Sequence, residues 1–212
     1  MSLDVKWLGH ASFKLTFAST VIYIDPFQIL GQPHDADYIF VTHTHYDHLS
    51  LEDIKKLTKS DTKFILSKDG ESHVQSLGDT ISFSPYDSQR IDNLIITAIP
   101  AYNLNKSFHP KANNWLGYVI DFKEGTKFFH SGDSDNISEY KELNKMGITI
   151  AALPCGGTYT MNATEAAQAA EVINPKQLIP MHWGRIVGSK KDALEVKKYL
   201  ENSNIEVLIL GQ

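Results

Sequence analysis

Cysteine is nearly absent from this sequence of 212 residues, in which Cys155 is the only one. A single cysteine excludes an intrachain disulfide and fits a reducing compartment. Cys155 directly follows Pro154 and has no basic neighbour in the sequence. We therefore predict that its thiol is a packing group and takes no part in catalysis.

Long apolar runs are also absent. No stretch approaches the roughly 20 apolar residues that a membrane helix needs, and residues 1–6 do not begin a signal peptide. The formal net charge of −5 gives no general attraction to nucleic acid or membranes. We expect a soluble, cytoplasmic protein with no membrane or nucleic-acid partner. Its expected partner is a small-molecule substrate, with an anionic one among the options.

Metal-binding side chains are concentrated in one short stretch, from Thr42 to His48. The apolar segment 36–41 before it predicts a buried strand, and Ser50 with Asp53 after it predicts a capped helix start. The stretch thus occupies a loop between strand and helix, where open sheets place ligand sites. Its candidate ligands are His43, His45, Asp47 and His48.

The spacing of these ligands predicts that their side chains project in two different directions. His43 and His45 lie two residues apart, so in extended backbone both project to one side and can bind one ion. Asp47 and His48 follow where the chain turns and could serve a second ion. Neutral imidazole suits zinc, iron, nickel and copper, and a carboxylate adds tolerance for manganese. A polar turn without a metal is the alternative, which this density of ligands disfavours.

Another carboxylate, Asp25, follows the apolar segment 20–24 and precedes Pro26. Proline cannot continue a strand ladder and biases the residue before it toward extended backbone. We therefore expect Asp25 at a strand terminus, in extended geometry. Its carboxylate could cap a turn, or it could accept the second ring N–H of a ligand histidine and so fix the tautomer.

The pattern His43-x-His45-x-Asp47-His48 resembles the signature of the metallo-β-lactamase superfamily, and the resemblance extends through nearly the whole chain. The chain is most similar to the small single-domain branch of metal-dependent hydrolases, which includes the ascorbate-phosphate lactonases. The resemblance implies one domain over residues 1–212, of α+β class, folded as an αββα four-layer sandwich. It also implies the histidine-orienting role for Asp25. Alternation of strands and helices alone indicates only a mixed α and β domain.

The resemblance adds ligands from outside the first cluster. Asp133, in a Gly-containing turn after a predicted strand, matches the aspartate that bridges two ions, and His182 matches the last histidine ligand. Turn chemistry for Asp133 and a structural role for His182 are the alternatives. His10, in a Gly-His-Ala-Ser turn that the branch shares, is expected near the site, and His130 is expected to be buried or to support the ligands.

The third histidine of the superfamily is expected just after the strand 94–100, where this chain has Asn103 at the end of Ala-Tyr-Asn. Three interpretations follow: His109 reaches in from the loop, Asn103 ligates weakly, or the first ion lacks one protein ligand. Because imidazole outcompetes an amide oxygen for borderline metals, we expect His109.

The predicted centre holds two divalent metal ions, zinc before manganese, iron or nickel. Two ions about 3.5–4 Å apart can share a water, lower its pKa and polarise the attacked group. Asp47 and Asp133 are the predicted catalytic carboxylates. The expected arrangement has His43, His45 and His109 at the first ion, Asp47, His48 and His182 at the second, and Asp133 between them.

These residues predict a binuclear metal-dependent hydrolase that attacks a small ester, lactone or phosphodiester with a metal-bridging hydroxide. The alternatives are a di-iron redox protein on the same fold and a metal-binding module without catalysis. The absence of a flavin domain and of a cysteine ligand disfavours the redox alternative. Lys106, Lys111 and Arg185 could hold an anionic group of the substrate.

The remaining periodicities predict the flanking elements. Strands are expected at 5–17 with one interruption, 63–67, 80–84, 94–100, 116–122, 127–130, 148–153, 177–180 and 205–210. Helices are expected at 51–58, 138–146, 163–173 and 190–200, the third after the capping box Asn162 to Glu165.

Overall fold

The structure is a computed structural model that describes residues 2–211. Contacts within the chain divide it into two compact units, one ending at Ser84 and the other spanning Pro85–Gly211. Each unit contains one β-sheet. None of the described helices has the length and apolarity that a bilayer crossing requires. The expectation of one domain over the whole chain stays a prediction.

The first unit contains a six-stranded sheet in chain order. Its first three strands form an antiparallel meander, and the third to sixth strands are parallel. The strands are β1 (Leu3–Gly9), β2 (Ser12–Phe17), β3 (Thr20–Ile24), β4 (Ala36–Val41), β5 (Thr58–Ser67) and β6 (Asp79–Phe83). The helices are α1 (Leu51–Leu57) and α2 (Glu71–Val74).

Burial explains why these segments form strands and a helix. Ile39 and Val41 of β4 pack in one cluster with Ile54 and Leu57 of α1 and with Phe64 of β5. Ser50 caps α1, since its side chain accepts the Asp53 N–H, as the sequence predicts. The parallel pairing of β3 with β4 brings their carboxyl ends to one edge of the sheet.

The second unit contains a seven-stranded sheet, also in chain order. The first four strands are antiparallel, and the last four are parallel. The strands are β7 (Ser88–Ile91), β8 (Leu94–Pro100), β9 (Leu116–Asp121), β10 (Lys127–His130), β11 (Ile150–Pro154), β12 (Gln177–Met181) and β13 (Glu206–Val207). The helices are α3 (Tyr140–Met146), α4 (Ala163–Ile173) and α5 (Lys190–Tyr199).

Strand direction determines where the second unit can place functional groups. Because β8 and β10 both run antiparallel to β9, they point the same way, and β12 follows them through its parallel pairing with β11. The carboxyl ends of β8, β10 and β12 therefore meet at one edge of the sheet. The loops after these strands carry Asn103, Asp133 and His182.

Most predicted elements are confirmed, and the differences have local reasons. The capping boxes at Asn162 and Ser189 are both formed. Strand β7 was not predicted because three of its four residues are polar and exposed, as an edge strand permits. Helix α3 begins at Tyr140, two residues after the predicted Ser138, and the last strand is two residues long where six were expected.

Candidate metal centre

The predicted ligand stretch forms the loop between β4 and α1. Its chain reverses through backbone hydrogen bonds from the His48 and Leu49 N–H groups to the His45 carbonyl, at 3.0 and 2.8 Å. This turn brings His43 Nε2 to 3.0 Å from His45 Nδ1 and His48 Nε2 to 3.7 Å from Asp47 Oδ2. His43, Asp47 and His48 are buried, and His45 is half-buried.

Asp25 orients two of these histidines from beneath the loop. Its fully buried carboxylate accepts the His48 Nδ1–H at 2.7 Å, as well as the Thr42 hydroxyl at 2.7 Å. The Thr42 oxygen in turn lies 2.9 Å from His43 Nδ1. Since the hydroxyl proton is directed to Asp25, the Thr42 oxygen accepts from His43. The network thus assigns the proton of both imidazoles to Nδ1 and the lone pair to Nε2.

The predicted contact of Asp25 with a histidine ring is confirmed, but its predicted backbone is wrong. Asp25 has a φ of +45°, in the left-handed region, although it precedes Pro26. Its N–H donates to the Phe40 carbonyl at 2.9 Å, and its carboxylate also accepts the Thr42 N–H at 2.8 Å. These bonds hold an unfavourable backbone conformation at the point where the ligands must be oriented.

His10 joins this cluster from the turn between β1 and β2. Its Nε2 lies 2.9 Å from Asp47 Oδ2, and its donor atoms with those of Asp47 and His48 fall within 4.8 Å of one another. The residue is fully buried and has a φ of +53°. The sequence predicted that His10 lies near the site but assigned it no role. Its position in a Gly-His turn was the feature that could have indicated such a role.

The second unit gathers a separate cluster around Asp133. Asp133 Oδ2 lies 3.0 Å from His182 Nε2 and 3.3 Å from His109 Nε2, and all three side chains are buried. Asp133 follows β10, and His182 follows β12 with a φ of +59°. A carboxylate and two imidazoles are ligand types that zinc accepts, and their close approach permits a shared cation.

Asn103 takes part in this cluster through His109. Its Oδ1 accepts from the His109 backbone N–H at 3.0 Å and faces His109 Nδ1 at 3.1 Å. The loop thereby places the imidazole of His109, and not the amide of Asn103, against Asp133. His130 is fully buried, and its Nδ1 accepts the Gly132 N–H at 3.1 Å in the turn before Asp133.

Gly156 explains why a glycine pair follows β11. A Cβ at this position would lie 2.3 Å from the backbone carbonyl of His182. The adjacent Cys155 N–H donates to the Met181 carbonyl at 3.0 Å. The glycine therefore permits the close approach of two loops that fixes the backbone at His182.

Two of the cations proposed for an anionic substrate contact carboxylates. Lys106 Nζ lies 2.9 Å from Asp135, and Lys111 Nζ lies 3.1 Å from Glu139. Burial of Glu139 favours its neutral form, but hydrogen bonds, first from Lys111, lower the pKa of Glu139 to about 2. The thiol of Cys155 is buried, as expected of a packing group, and burial raises its pKa because it disfavours the thiolate.

The donor sets fit a divalent metal. Ligands of a tetrahedral zinc ion with Zn–N bonds of about 2.0–2.1 Å lie about 3.3–3.4 Å apart. Separations within the two units lie near this value: 3.0 Å between His43 and His45 and 3.7 Å between His48 and Asp47 in the first, and 3.0 and 3.3 Å around Asp133 in the second. Neutral imidazoles with assigned tautomers and carboxylates are also the chemistry that zinc, manganese, iron and nickel accept.

Comparison with known proteins gives the family. The model of the beta-lactamase superfamily domain matches residues 4–182. A UPF0173 metal-dependent hydrolase of Thermococcus onnurineus is 32% identical over 220 residues, which cover 98% of this chain and 96% of the relative.

Solved structures agree with this result. A proposed metal-dependent hydrolase from Parabacteroides distasonis matches with a TM-score of 0.85 and 32% identity, over 98% of this chain and 92% of that chain. CmlA, a diiron beta-hydroxylase from Streptomyces venezuelae, shares the fold at a TM-score of 0.76 and 14% identity, over 99% of this chain and 53% of its own.

The fold class predicted from the sequence is confirmed, because a mixed α and β chain with two sheets matches proteins of the metallo-β-lactamase fold. The superfamily model extends over both ligand clusters, from His10 to His182. The chain therefore belongs to the metallo-β-lactamase superfamily and, within it, to the UPF0173 metal-dependent hydrolases.

Proposed function

We propose that this metal-dependent hydrolase holds two divalent ions, of which zinc is the preferred element, and that it cleaves a small ester or lactone. The observation that carries the proposal is Asp133, whose Oδ2 lies 3.0 Å from His182 Nε2 and 3.3 Å from His109 Nε2. A carboxylate so placed can bridge two cations. The family supports joining this cluster with the loop 42–48 in one centre, since one superfamily domain contains both.

The proposed assignment follows the arrangement that the sequence predicts. His43, His45 and His109 would hold one ion, Asp47, His48 and His182 the other, and Asp133 would contact both. Bound there, the ions would supply a water of near-neutral pKa and a Lewis acid for the attacked carbonyl oxygen.

The protein's own groups would orient and move protons. Asp25 and Thr42 keep the Nε2 lone pairs of His48 and His43 available, because each fixes the ring proton on Nδ1. Asp47 is the proposed proton acceptor, and His10, whose Nε2 lies 2.9 Å from Asp47 Oδ2, holds that carboxylate in place. No serine or cysteine nucleophile is needed, in keeping with a buried Cys155.

Two of the three candidate cations are already paired, which favours a neutral substrate among the three predicted classes. Lys106 and Lys111 would be the natural partners of a phosphodiester, but both contact carboxylates of the same unit. An ester or lactone needs no such cation, because its developing charge lies on the carbonyl oxygen next to the metals. The finer resemblance to the ascorbate-phosphate lactonases stays a prediction.

The test compares His45→Ala and Asp133→Ala with His73→Ala, which changes an exposed histidine of α2. Metal content is measured by elemental analysis after anaerobic purification, and turnover on a panel of aryl esters, lactones and phosphodiesters. We expect two ions per chain in the wild type and in His73→Ala, and loss of metal and turnover in both ligand variants. Full turnover by the metal-free wild type would refute the proposal, and two irons with oxygen-dependent chemistry would replace it by the redox alternative.

A further inference from the structure

We propose that Asp135 and Asn103 are positioning residues that orient His109. Asp135 fixes the direction of the Asn103 amide, and the amide fixes which nitrogen of the His109 ring carries the proton. The metal-binding role of His109 rests on the proposed function. The hydrogen-bond chain itself does not, so the two can be tested apart.

The orientation of the Asn103 amide follows from its neighbours. One side of the amide, assigned as Nδ2, lies 3.1 Å from Asp135 Oδ1 and 3.1 Å from the Tyr159 carbonyl. Both partners are acceptors only, so the NH₂ group must face them. The opposite side is therefore the carbonyl oxygen. A reversed amide would oppose two acceptors with a third, at the cost of buried unpaired groups.

The carbonyl oxygen of Asn103 in turn selects one tautomer of His109. It accepts from the His109 backbone N–H at 3.0 Å and lies 3.1 Å from the ring Nδ1. An acceptor at this distance favours a proton on Nδ1, which leaves the lone pair of the neutral ring on Nε2. This is the atom 3.3 Å from Asp133 Oδ2. The hydrogen-bond chain thus leaves the Nε2 lone pair on the side of Asp133, where a cation shared by the two groups would bind.

Asp135 also fixes the loop that carries these residues. Its carboxylate accepts from the Leu104 N–H at 2.8 Å and from Lys106 Nζ at 2.9 Å, and its own N–H donates to the Tyr102 carbonyl at 3.0 Å. The side chain is buried, so these bonds are shielded from water. Because Asp133 and Asp135 belong to one turn, the position of the loop and the position of the bridging carboxylate are set together.

The hydrogen bonds from Asp135 through Asn103 to His109 account for a departure from the superfamily pattern. A histidine was expected where Asn103 stands, and the structure uses Asn103 to hold a histidine six residues later. If Asn103 itself were the ligand, its oxygen would lose its hydrogen bonds to the backbone N–H and the ring Nδ1–H of His109. The geometry therefore assigns Asn103 to orientation and His109 to ligation.

The first test reads the tautomer directly in metal-free protein that carries Asp133→Ala throughout, because the Asp133 carboxylate, 3.3 Å from His109 Nε2, would otherwise compete for the ring proton. Long-range ¹H–¹⁵N spectra of histidine rings at a pH where His109 is neutral should show its proton on Nδ1. In Asn103→Ala the proton should shift toward Nε2, whereas Asn105→Ala, an exposed control in the same loop, should leave it unchanged. In this background, a neutral His109 ring with its proton on Nε2, or no change when Asn103→Ala is added, would overturn the proposal whatever the metal content.

The second test measures metal affinity. We expect Asn103→Ala to weaken one of the two zinc-binding steps by about 10–100-fold and the other by less than about threefold. Asn103→Asp should also weaken binding, because its second oxygen would face Asp135. The double variant Asn103→Asp with Asp135→Asn restores a donor opposite an acceptor and should recover part of the loss, since the Tyr159 carbonyl still faces an oxygen, whereas Asn105→Asp should have no effect. Failure of the double variant to recover affinity would refute the role of Asp135, and absence of zinc binding by the wild type would refute the proposed function instead.

Discussion

Replacement of Asp25 by asparagine offers the sharpest test of how the first cluster is oriented. The carboxylate is fully buried and accepts three hydrogen bonds, from the Thr42 N–H, the Thr42 hydroxyl and His48 Nδ1, at 2.8, 2.7 and 2.7 Å. Asparagine has the same shape and tolerates the left-handed backbone at this position. The variant therefore changes hydrogen bonding and charge while it leaves packing nearly constant.

The structure predicts how the Asp25→Asn side chain must lie. Its NH₂ group cannot face the Thr42 N–H, so it must replace Oδ2, opposite the Thr42 hydroxyl and His48. Both partners can adapt: the hydroxyl turns its oxygen toward the amide, and His48 moves its proton to Nε2. The hydroxyl proton is then free to point at His43 Nδ1, which forces the proton of His43 to Nε2 as well. One substitution should thus reverse two tautomers.

The magnitudes follow from the number of bonds. Hydrogen bonds to charged groups contribute about 1.5–3 kcal/mol and neutral ones about 0.5–1.5 kcal/mol, so three weakened bonds together cost about 3–4.5 kcal/mol. Since a neutral amide is cheaper to bury than a carboxylate, we expect a loss of about 1–3 kcal/mol in the free energy of unfolding. Loss of one orienting partner costs about 10–100-fold in metal affinity, and two affected ligands place the expected loss near 100-fold.

The assay combines urea denaturation of the metal-free protein with zinc titration and ring ¹⁵N spectra. Asp37→Asn is the matched control, because Asp37 accepts the Val21 N–H at 2.7 Å and Lys59 at 2.5 Å in a half-exposed position. We expect it to cost less than about 1 kcal/mol and to leave metal affinity unchanged. Zinc affinity within threefold of the wild type in Asp25→Asn, with His48 still protonated at Nδ1, would show that the orientation argument is wrong.

Two further predictions concern the second unit. Gly156→Ala should lower the free energy of unfolding by about 1–3 kcal/mol and weaken metal binding, since its Cβ would meet the His182 carbonyl at 2.3 Å; Gly125→Ala, where a Cβ has open space but the φ is +79°, separates contact from backbone strain. The lowered pKa of Glu139, about 2 against an ordinary 4.5, means that its ion pair stabilises the fold above pH 4.5 and loses this contribution as the pH falls toward 2. Urea midpoints at pH 7, 4 and 3 should therefore fall less steeply in Glu139→Gln, and an unchanged slope would contradict this assignment.

The fold was largely predictable because local chemistry and tertiary structure agree. Helix α4 begins at the capping box of Asn162, and β4 is an apolar run that ends at the ligand loop. The prediction of secondary structure failed where a segment becomes a strand only through its pairing with a neighbouring strand. Ser88–Ile91 forms an edge strand although three of its residues are exposed polar ones, because it needs only the partner β8. No periodicity in so short a polar segment could have revealed it.

The candidate ligands were predictable in type, but of the residues that support them only Asp25 was. The spacing of His43, His45, Asp47 and His48 is local information, so a sequence pattern suffices. The contact of His10 with Asp47 joins residues 37 positions apart, and that of Asn103 with Asp135 joins residues 32 apart. Such contacts depend on strand direction and loop closure. The backbone of Asp25 shows the same limit. The following proline favours an extended conformation, but four hydrogen bonds of Asp25 hold it in the left-handed region.

Both units use a buried carboxylate to orient imidazoles, either by direct contact or through one neutral side chain. Asp25 contacts His48 directly, whereas it reaches His43 through the hydroxyl of Thr42, and Asp135 reaches His109 through the amide of Asn103. A carboxylate bonded to the ring raises the basicity of the opposite nitrogen, and a neutral intermediary transmits orientation with less of the charge. His48 should therefore be a stronger donor than His43 or His109. If the three bind as proposed, His48 would reduce the positive charge of its ion more than His43 and His109 would reduce that of theirs, and the latter ion would be the better Lewis acid for a neutral carbonyl.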